Sequence, residues 1–217
     1  MNREKAKLVQ IEVCETAKEM ANSGLTAGTW GNISGRIDDT YMVITPSGMD
    51  YAKLVPEQMV IVNMKTQEYE GNLKPSVEAP IHSRIVLGRP EVNGIVHTHS
   101  TNALTVATTR KGIPPICDDQ VQILGGDVRC AAYTYPGSQE MAESVFEALD
   151  ERAGALIANH GAITVGRTLK EALVGSTVLE KTAQIYINVQ KLGGAVEISR
   201  EDCEFFHDFF LNKYGQK

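Results

Sequence analysis

The sequence is poor in cysteine, and its four cysteines form no C-x-x-C pair. A secreted, disulfide-stabilised scaffold is therefore excluded, and we expect reduced thiols in a cytoplasmic protein. Long apolar runs are also missing, since no stretch reaches the roughly 18 residues that a membrane span requires. The charged first residues lead into an amphipathic pattern rather than an apolar signal sequence. We expect neither a membrane anchor nor a signal peptide.

Basic residues are outnumbered, with 21 Lys and Arg against 27 Asp and Glu, a formal net charge of -6 and a pI near 5.4. A protein that binds nucleic acid through its phosphates is normally basic, so we expect no nucleic-acid partner. The 217 residues contain no linker, repeat or low-complexity tract. This length predicts one domain, residues 1–217.

The hydrophobic periodicity predicts several helices around short strands, which is an α/β domain. The predicted helices cover 3–22, 77–87 after a cap at Ser76, 101–111, a segment capped by Ser138, Thr168 to about Lys191, and a segment from Ser199 with Cys203, Phe206 and Phe210 inward. The predicted strands cover 41–45, 59–62, 92–97, 155–158 and 162–165. Residues 28–35 are interpreted as a glycine-rich loop.

Histidine is the scarce reactive residue, with five in the chain. His97 and His99 lie two residues apart on a predicted strand, so both imidazoles face one side and can bind one divalent metal. The alternative is a pair of surface or core histidines. His160, between two predicted strands, is a candidate third ligand, or else a turn histidine bonded to its neighbours. Three imidazoles with an open fourth position are typical of catalytic zinc.

Glu78 begins a predicted helix, with His82 one turn later. A carboxylate beside a metal can be a ligand or a general base, although an i,i+4 surface pair is the plainer interpretation. Three small-residue segments, Thr29–Ser34, Thr45–Gly48 and Pro75-Ser76, could bind phosphate or could be ordinary turns. None of them matches a P-loop.

Taken in order, these segments resemble the class II sugar-phosphate aldolase/epimerase family. The resemblance rests on Gly28-Thr29-Trp30-Gly31-Asn32-Ile33-Ser34, Ile44-Thr45-Pro46-Ser47-Gly48, Lys74-Pro75-Ser76-Val77-Glu78, Val96-His97-Thr98-His99 and Ala158-Asn159-His160-Gly161. It implies the class II aldolase/adducin-like fold, in which helices flank a central antiparallel β-sheet. It also implies a homotetramer with sites at subunit interfaces and one zinc ion per subunit.

The resemblance implies a role for each matching residue. Zinc would be held by His97, His99 and His160, with Glu78 as a further ligand and as the catalytic acid/base. The implied phosphate-binding residues are Thr29, Gly31, Asn32, Ser47, Gly48 and Ser76. Tyr214, in the C-terminal Lys213-Tyr214-Gly215, matches a tyrosine that reaches a neighbouring subunit's site and handles the proton of the aldehyde oxygen.

Two positions depart from the aldolase pattern. Val77 replaces a serine that would contact phosphate, and Cys117-Asp118-Asp119-Gln120 stands where the aldolases carry a tyrosine. Asp118 or Asp119 could be an acid/base, as in the epimerases, or both could be solvated surface acids.

The expected activity is a zinc-dependent retro-aldol cleavage of a ketose 1-phosphate, of the L-fuculose or 5-deoxypentulose type, to dihydroxyacetone phosphate and an aldehyde. The resemblance leaves open a sugar-phosphate 4-epimerase, a 3-oxo-tetronate-4-phosphate decarboxylase and a methylthioribulose-phosphate dehydratase. A metal-free, adducin-like interaction domain is a more remote alternative.

Overall fold

A seven-stranded sheet forms the centre of the structure, a computed structural model that describes residues 1–215. The strands are β1 (Asn32–Arg36), β2 (Tyr41–Ile44), β3 (Val60–Asn63), β4 (Gly94–Thr98), β5 (Arg129–Ala131), β6 (Gly154–Ile157) and β7 (Gly161–Gly166). Their spatial order is β3-β2-β1-β4-β7-β6-β5. All neighbours are antiparallel except β5 and β6, so the predicted antiparallel sheet is confirmed with one parallel pair at its edge.

Helices cover both faces of this sheet. They are α1 (Arg3–Asn22), α2 (Ala79–Gly88), α3 (Thr101–Ala107), α4 (Asp118–Leu124), α5 (Gln139–Leu149), α6 (Leu169–Gln190) and α7 (Arg200–Lys213). One face packs on α2 and α5, and the other packs on α1, α3 and α6. Strand side chains alternate between the two cores, so that Met42 and Ile44 enter one while Val43 enters the other.

Side-chain caps fix where several helices begin. The hydroxyls of Ser138, Thr168 and Ser199 accept hydrogen bonds from backbone amides in the first turns of α5, α6 and α7. Gly24, at a φ of 73°, follows the last turn of α1. These predicted boundaries are confirmed.

Other boundaries were predicted wrongly. Residues 28–35 are not all loop, because Asn32–Arg36 form β1, which lies between β2 and β4 in the sheet. The segment is short and polar, and only its place inside the sheet makes it a strand. Ser76 lies two residues before the true N-cap of α2, Glu78. The short elements α4 and β5 were not predicted.

The last helix is also less buried than predicted. Cys203 is buried, but Phe206 is exposed and Phe210 only half-buried. The helix packs on α4, and its aromatic residues face outward in this single chain.

Gly94→Ala tests how closely α6 approaches β4. A Cβ at Gly94 would lie 2.6 Å from the backbone nitrogen of Leu169, which cannot move without shifting the start of α6. We expect a loss of about 1–3 kcal/mol in the free energy of unfolding, measured by urea denaturation. The control is Gly175→Ala inside α6, where a Cβ meets only ordinary contacts, the nearest at 3.4 Å. That variant should be neutral or gain up to about 1 kcal/mol. Equal stability of the two variants would contradict this packing.

Candidate metal and acid–base site

Three histidines converge where β4 ends and β7 begins. His97 lies in β4, His99 follows the end of that strand, and His160 occupies the turn that leads into β7. Because β4 and β7 are paired, with Thr98 opposite Ala162, the turn and the strand end meet at one edge. One ring nitrogen from each histidine lies within 4.8 Å of those of the other two. The sequence-predicted trio is therefore assembled.

Hydrogen bonding sets the ring nitrogen that His97 presents. Its Nδ1 lies 2.8 Å from the carbonyl oxygen of Ala162, which can only accept, so Nδ1 carries the proton. The Nε2 atom of neutral His97 is then a lone-pair donor, and it lies 3.0 Å from Nε2 of His99. Tetrahedral zinc at about 2.0–2.1 Å from each nitrogen would need ligand nitrogens roughly 3.3 Å apart, close to this spacing.

Glu78 joins the cluster from the N-cap position of α2. It is only 4% exposed, its Oε2 lies 3.2 Å from His97 Nε2, and its Oε1 lies 2.9 Å from His160 Nε2. Neither Oε1 nor His160 Nε2 has a hydrogen bond of acceptable geometry. At 2.9 Å, His160 Nε2 can donate to Glu78 Oε1 when it carries the ring proton, and both atoms can bind one cation when it does not. The donor set of three imidazoles and a carboxylate suits zinc.

The electrostatics keep Glu78 ionised. Burial alone would raise the pKa of this carboxyl, but attraction to His97 and His160 and the hydrogen bond from Asn32 hold the pKa below its ordinary value. Asn32 Nδ2 donates to Glu78 Oε2 at 2.6 Å.

The pKa values of His97 and His99 are lowered, which favours the neutral imidazole in both. Burial, with repulsion from His97 and His160, lowers the pKa of His99 to about 3. Burial also lowers the pKa of His97, against the opposing charge of Glu78. Neutral imidazole is the form that binds metal, so the site is prepared for a cation at neutral pH.

A cavity of about 530 Å³ opens beside this cluster. The predicted phosphate-binding residues all line it: Thr29, Gly31, Asn32, Ser47, Gly48 and Ser76. Two of their backbone amides are already used, because Ser47 N donates to Lys74 O and Ser76 N donates to Thr45 O. Ser47 and Ser76 therefore have only their hydroxyls to offer an anion.

Gly31 lies where the cavity loop contacts the backbone of the histidine cluster. Its φ of 82° favours glycine, and a Cβ there would lie 2.6 Å from the carbonyl oxygen of His97. The Tyr51 hydroxyl donates to the Gly31 carbonyl at 2.5 Å, and burial raises the pKa of Tyr51 to about 12, which keeps it a donor.

Several lining residues were not proposed as site residues from the sequence. Trp30, Val77, Leu104 and Pro136 give the cavity an apolar wall, and the Trp30 ring lies 5.4 Å from that of His99. A lone tryptophan in a glycine-rich segment was a usable signal for Trp30. Leu104 and Pro136 reach the cavity only through the tertiary fold.

Three predicted catalytic residues do not line this cavity within one chain. Tyr214 caps the end of α7, is exposed, and packs on Phe210. Asp118 and Asp119 form the first turn of α4, and Asp119 pairs with Lys181 at 2.5 Å. Their predicted roles stay predictions.

The fold and the site together define a class of protein. The profile of the class II aldolase and adducin N-terminal domain family matches residues 11–187. This chain belongs to that family, as its motifs indicated.

Relatives that match most of the chain are named as aldolases of sugar phosphates. A 5-deoxy-D-ribulose 1-phosphate aldolase from Bacillus thuringiensis serovar kurstaki is 34% identical over 207 residues, covering 95% of this chain and 96% of the relative. An L-fuculose phosphate aldolase from Escherichia coli K12 is 32% identical over 191 residues, covering 88% of each. The structure of an L-fuculose 1-phosphate aldolase superposes with a TM-score of 0.89 at 29% identity, covering 94% of this chain and 96% of that one. Among residues 1–215, no helix is long and apolar enough to cross a membrane.

Acid should destabilise the metal-free protein through its buried histidines. Burial, with repulsion from His97, lowers the pKa of His82 to about 3, whereas an unfolded histidine titrates near 6.5. Between these values the unfolded chain binds more protons, so the free energy of unfolding falls as the pH falls. Urea denaturation from pH 7.5 to 5 should show this loss below about pH 6.5. The window lies above the range where Glu78 contributes. A free energy of unfolding that does not change over this pH range would contradict the prediction. The His82→Gln variant should show a smaller loss than the unsubstituted protein.

Proposed function

We propose that this chain is a metal-dependent aldolase that cleaves a ketose 1-phosphate to dihydroxyacetone phosphate and an aldehyde. The observation that carries the proposal is the convergence of His97, His99 and His160 on the buried carboxylate of Glu78, at the wall of a cavity lined by serine, threonine and glycine. Relatives that match nearly the whole chain are named as aldolases of such substrates.

The metal we propose is zinc, one ion per chain, held by the three histidines with Glu78 as a further ligand before substrate binds. When bound, the ion supplies a Lewis acid that stabilises negative charge developing on the substrate's oxygens.

The residues of the chain supply the remaining steps. Thr29, Ser47, Ser76 and the glycines beside them hold the phosphate through hydroxyls and backbone amides, and this places C3 of the sugar near Glu78. The C4 hydroxyl then loses its proton, the C3–C4 bond breaks, and C4 becomes the aldehyde carbon. The ionised Glu78 takes up one proton from solvent and delivers it to the carbon that becomes C3 of dihydroxyacetone phosphate, which returns Glu78 to carboxylate. The group that accepts the C4 hydroxyl proton releases it to solvent, so no net proton is gained or lost.

The apolar wall of Trp30, Val77, Leu104 and Pro136 favours an aldehyde that ends in a methyl group. Cleavage of L-fuculose 1-phosphate or of a 5-deoxypentulose 1-phosphate leaves such an aldehyde.

The group that takes the C4 hydroxyl proton comes, in this proposal, from a neighbouring subunit of a homotetramer. Tyr214 and the pair Asp118 and Asp119 are the candidates. All three lie away from the cavity of their own chain, and Tyr214 and Asp118 are exposed. We also propose a cytoplasmic location, in keeping with four cysteines that are all free.

Glu78→Gln should lower kcat for dihydroxyacetone phosphate release by about 10²-fold or more, because the amide cannot exchange the proton. Zinc content should stay near one per chain, since three histidines remain. The control is Glu70→Gln, which removes the carboxylate of an exposed ion pair with Arg3. A Glu78→Gln enzyme with near-normal kcat would exclude the proposed role.

Zinc and substrate class are tested together. Elemental analysis should find one zinc per chain, and a chelator should abolish dihydroxyacetone phosphate release from a panel that includes L-fuculose 1-phosphate and 5-deoxyribulose 1-phosphate. Added zinc should restore it. No release from any ketose 1-phosphate, with turnover of an oxo-acid phosphate, would assign the decarboxylase reaction instead.

A further inference from the structure

A chain of buried polar side chains runs from the interior of the sheet to Glu78. Ser34 and Asn32 stand two residues apart on β1 and face α2, where His82 and Glu78 stand one turn apart. Ser34 Oγ lies 2.6 Å from His82 Nδ1, His82 Nε2 lies 2.6 Å from Asn32 Oδ1, and Asn32 Nδ2 lies 2.6 Å from Glu78 Oε2. All four residues are under 5% exposed. The simple helix-surface pair of Glu78 and His82 considered from the sequence is therefore replaced by a link through Asn32.

The direction of every hydrogen bond follows from the carboxylate of Glu78 at one end of the series. An ionised carboxylate only accepts, so Asn32 must turn its Nδ2 toward Glu78 and its Oδ1 toward His82. His82 must then carry its proton on Nε2, and its bare Nδ1 must accept from the Ser34 hydroxyl. The chain ends there, and each of its three hydrogen bonds joins one donor to one acceptor.

The two oxygens of Glu78 have different contacts in this series of hydrogen bonds. Oε2 accepts the hydrogen bond from Asn32 and lies 3.2 Å from His97 Nε2, whereas Oε1 lies 2.9 Å from His160 Nε2 and has no hydrogen bond from Asn32. The anchored oxygen fixes the plane of the carboxylate, and the other oxygen is left for the cation or the substrate.

We infer that His82 is a positioning residue that acts through Asn32 to fix the carboxylate of Glu78, and that Oε1 is the oxygen that exchanges the proton. The inference rests on the proposed function for its catalytic consequence. It also gives Asn32 a second task besides the phosphate contact that the family resemblance implies. Residues that orient groups around a metal typically change affinity or activity by about 10–100-fold when they are removed.

Two substitutions of His82 separate positioning from packing. The amide nitrogen of glutamine can take the place of His82 Nε2 and donate to Asn32, whereas methionine fills similar space without a donor. We expect His82→Met to lower kcat by about 10–100-fold with KM nearly unchanged and zinc retained. His82→Gln should recover most of that loss. The matched control, His207→Gln on α7, removes a histidine that bonds to Gln122 O outside the cavity and should keep the wild-type kcat.

A measurement on the unsubstituted, zinc-loaded protein does not depend on activity. The ¹⁵N and ¹H resonances of the His82 ring should show a slowly exchanging proton on Nε2 and an unprotonated Nδ1. Protonation of Nδ1 instead, a His82→Met enzyme with wild-type kcat, or a zinc-loaded His82→Gln enzyme as slow as His82→Met would each overturn the inference. Failure of the wild-type enzyme to cleave any ketose 1-phosphate would overturn the proposed function alone, because the ring resonances still report the tautomer.

Discussion

The hydrogen bond from His97 Nδ1 to the carbonyl oxygen of Ala162 is the contact on which the site depends. It joins β4 to β7 through a side chain, in addition to the backbone pairing of the two strands. It fixes the tautomer of His97, so that a lone pair faces the centre of the cluster. It also holds the start of β7 against β4, and this places His160 of the preceding turn opposite His99. The fold thus sets the spacing of the three imidazoles.

Local sequence patterns predicted those residues whose role follows from their position on a single strand or helix. The His-x-His spacing on an apolar strand placed two imidazoles on one side, because strand geometry has a period of two. The caps at Ser138 and Thr168 were predictable because a helix cap is also a local pattern. In each, the hydroxyl accepts a hydrogen bond from the backbone amide three residues later, in the first turn of the helix. The histidine cluster was therefore predictable from the sequence, although only the pairing of β4 with β7 explains how His160 meets His97 and His99.

The features that were not predicted depend on contacts between residues far apart in the sequence. Asn32–Arg36 look like loop residues, and they form a strand because β2 and β4 lie on either side of them. The same placement turns Asn32 and Ser34 toward α2, so the bonds to Glu78 and His82 could not be predicted. Tyr214, Asp118 and Asp119 lie outside the cavity, because their elements, α7 and α4, pack on each other away from it. The net negative charge is compatible with an anionic ligand, because the cavity offers hydroxyls, glycine backbone and a cation site rather than lysine or arginine.

The contact of Gly31 with the His97 carbonyl gives the cavity a fixed internal length. The loop that carries Gly31 and the strand that carries His97 touch backbone to backbone, with no room for even one methyl group between them. Neither part can shift without moving the other, so the separation between this loop and the histidine cluster is fixed by the fold. A ligand that reaches from the loop to the histidines must match that fixed separation with its own skeleton. In the proposed function, the cavity therefore selects substrates by the number of carbons between the phosphate and the oxygens beside the histidines.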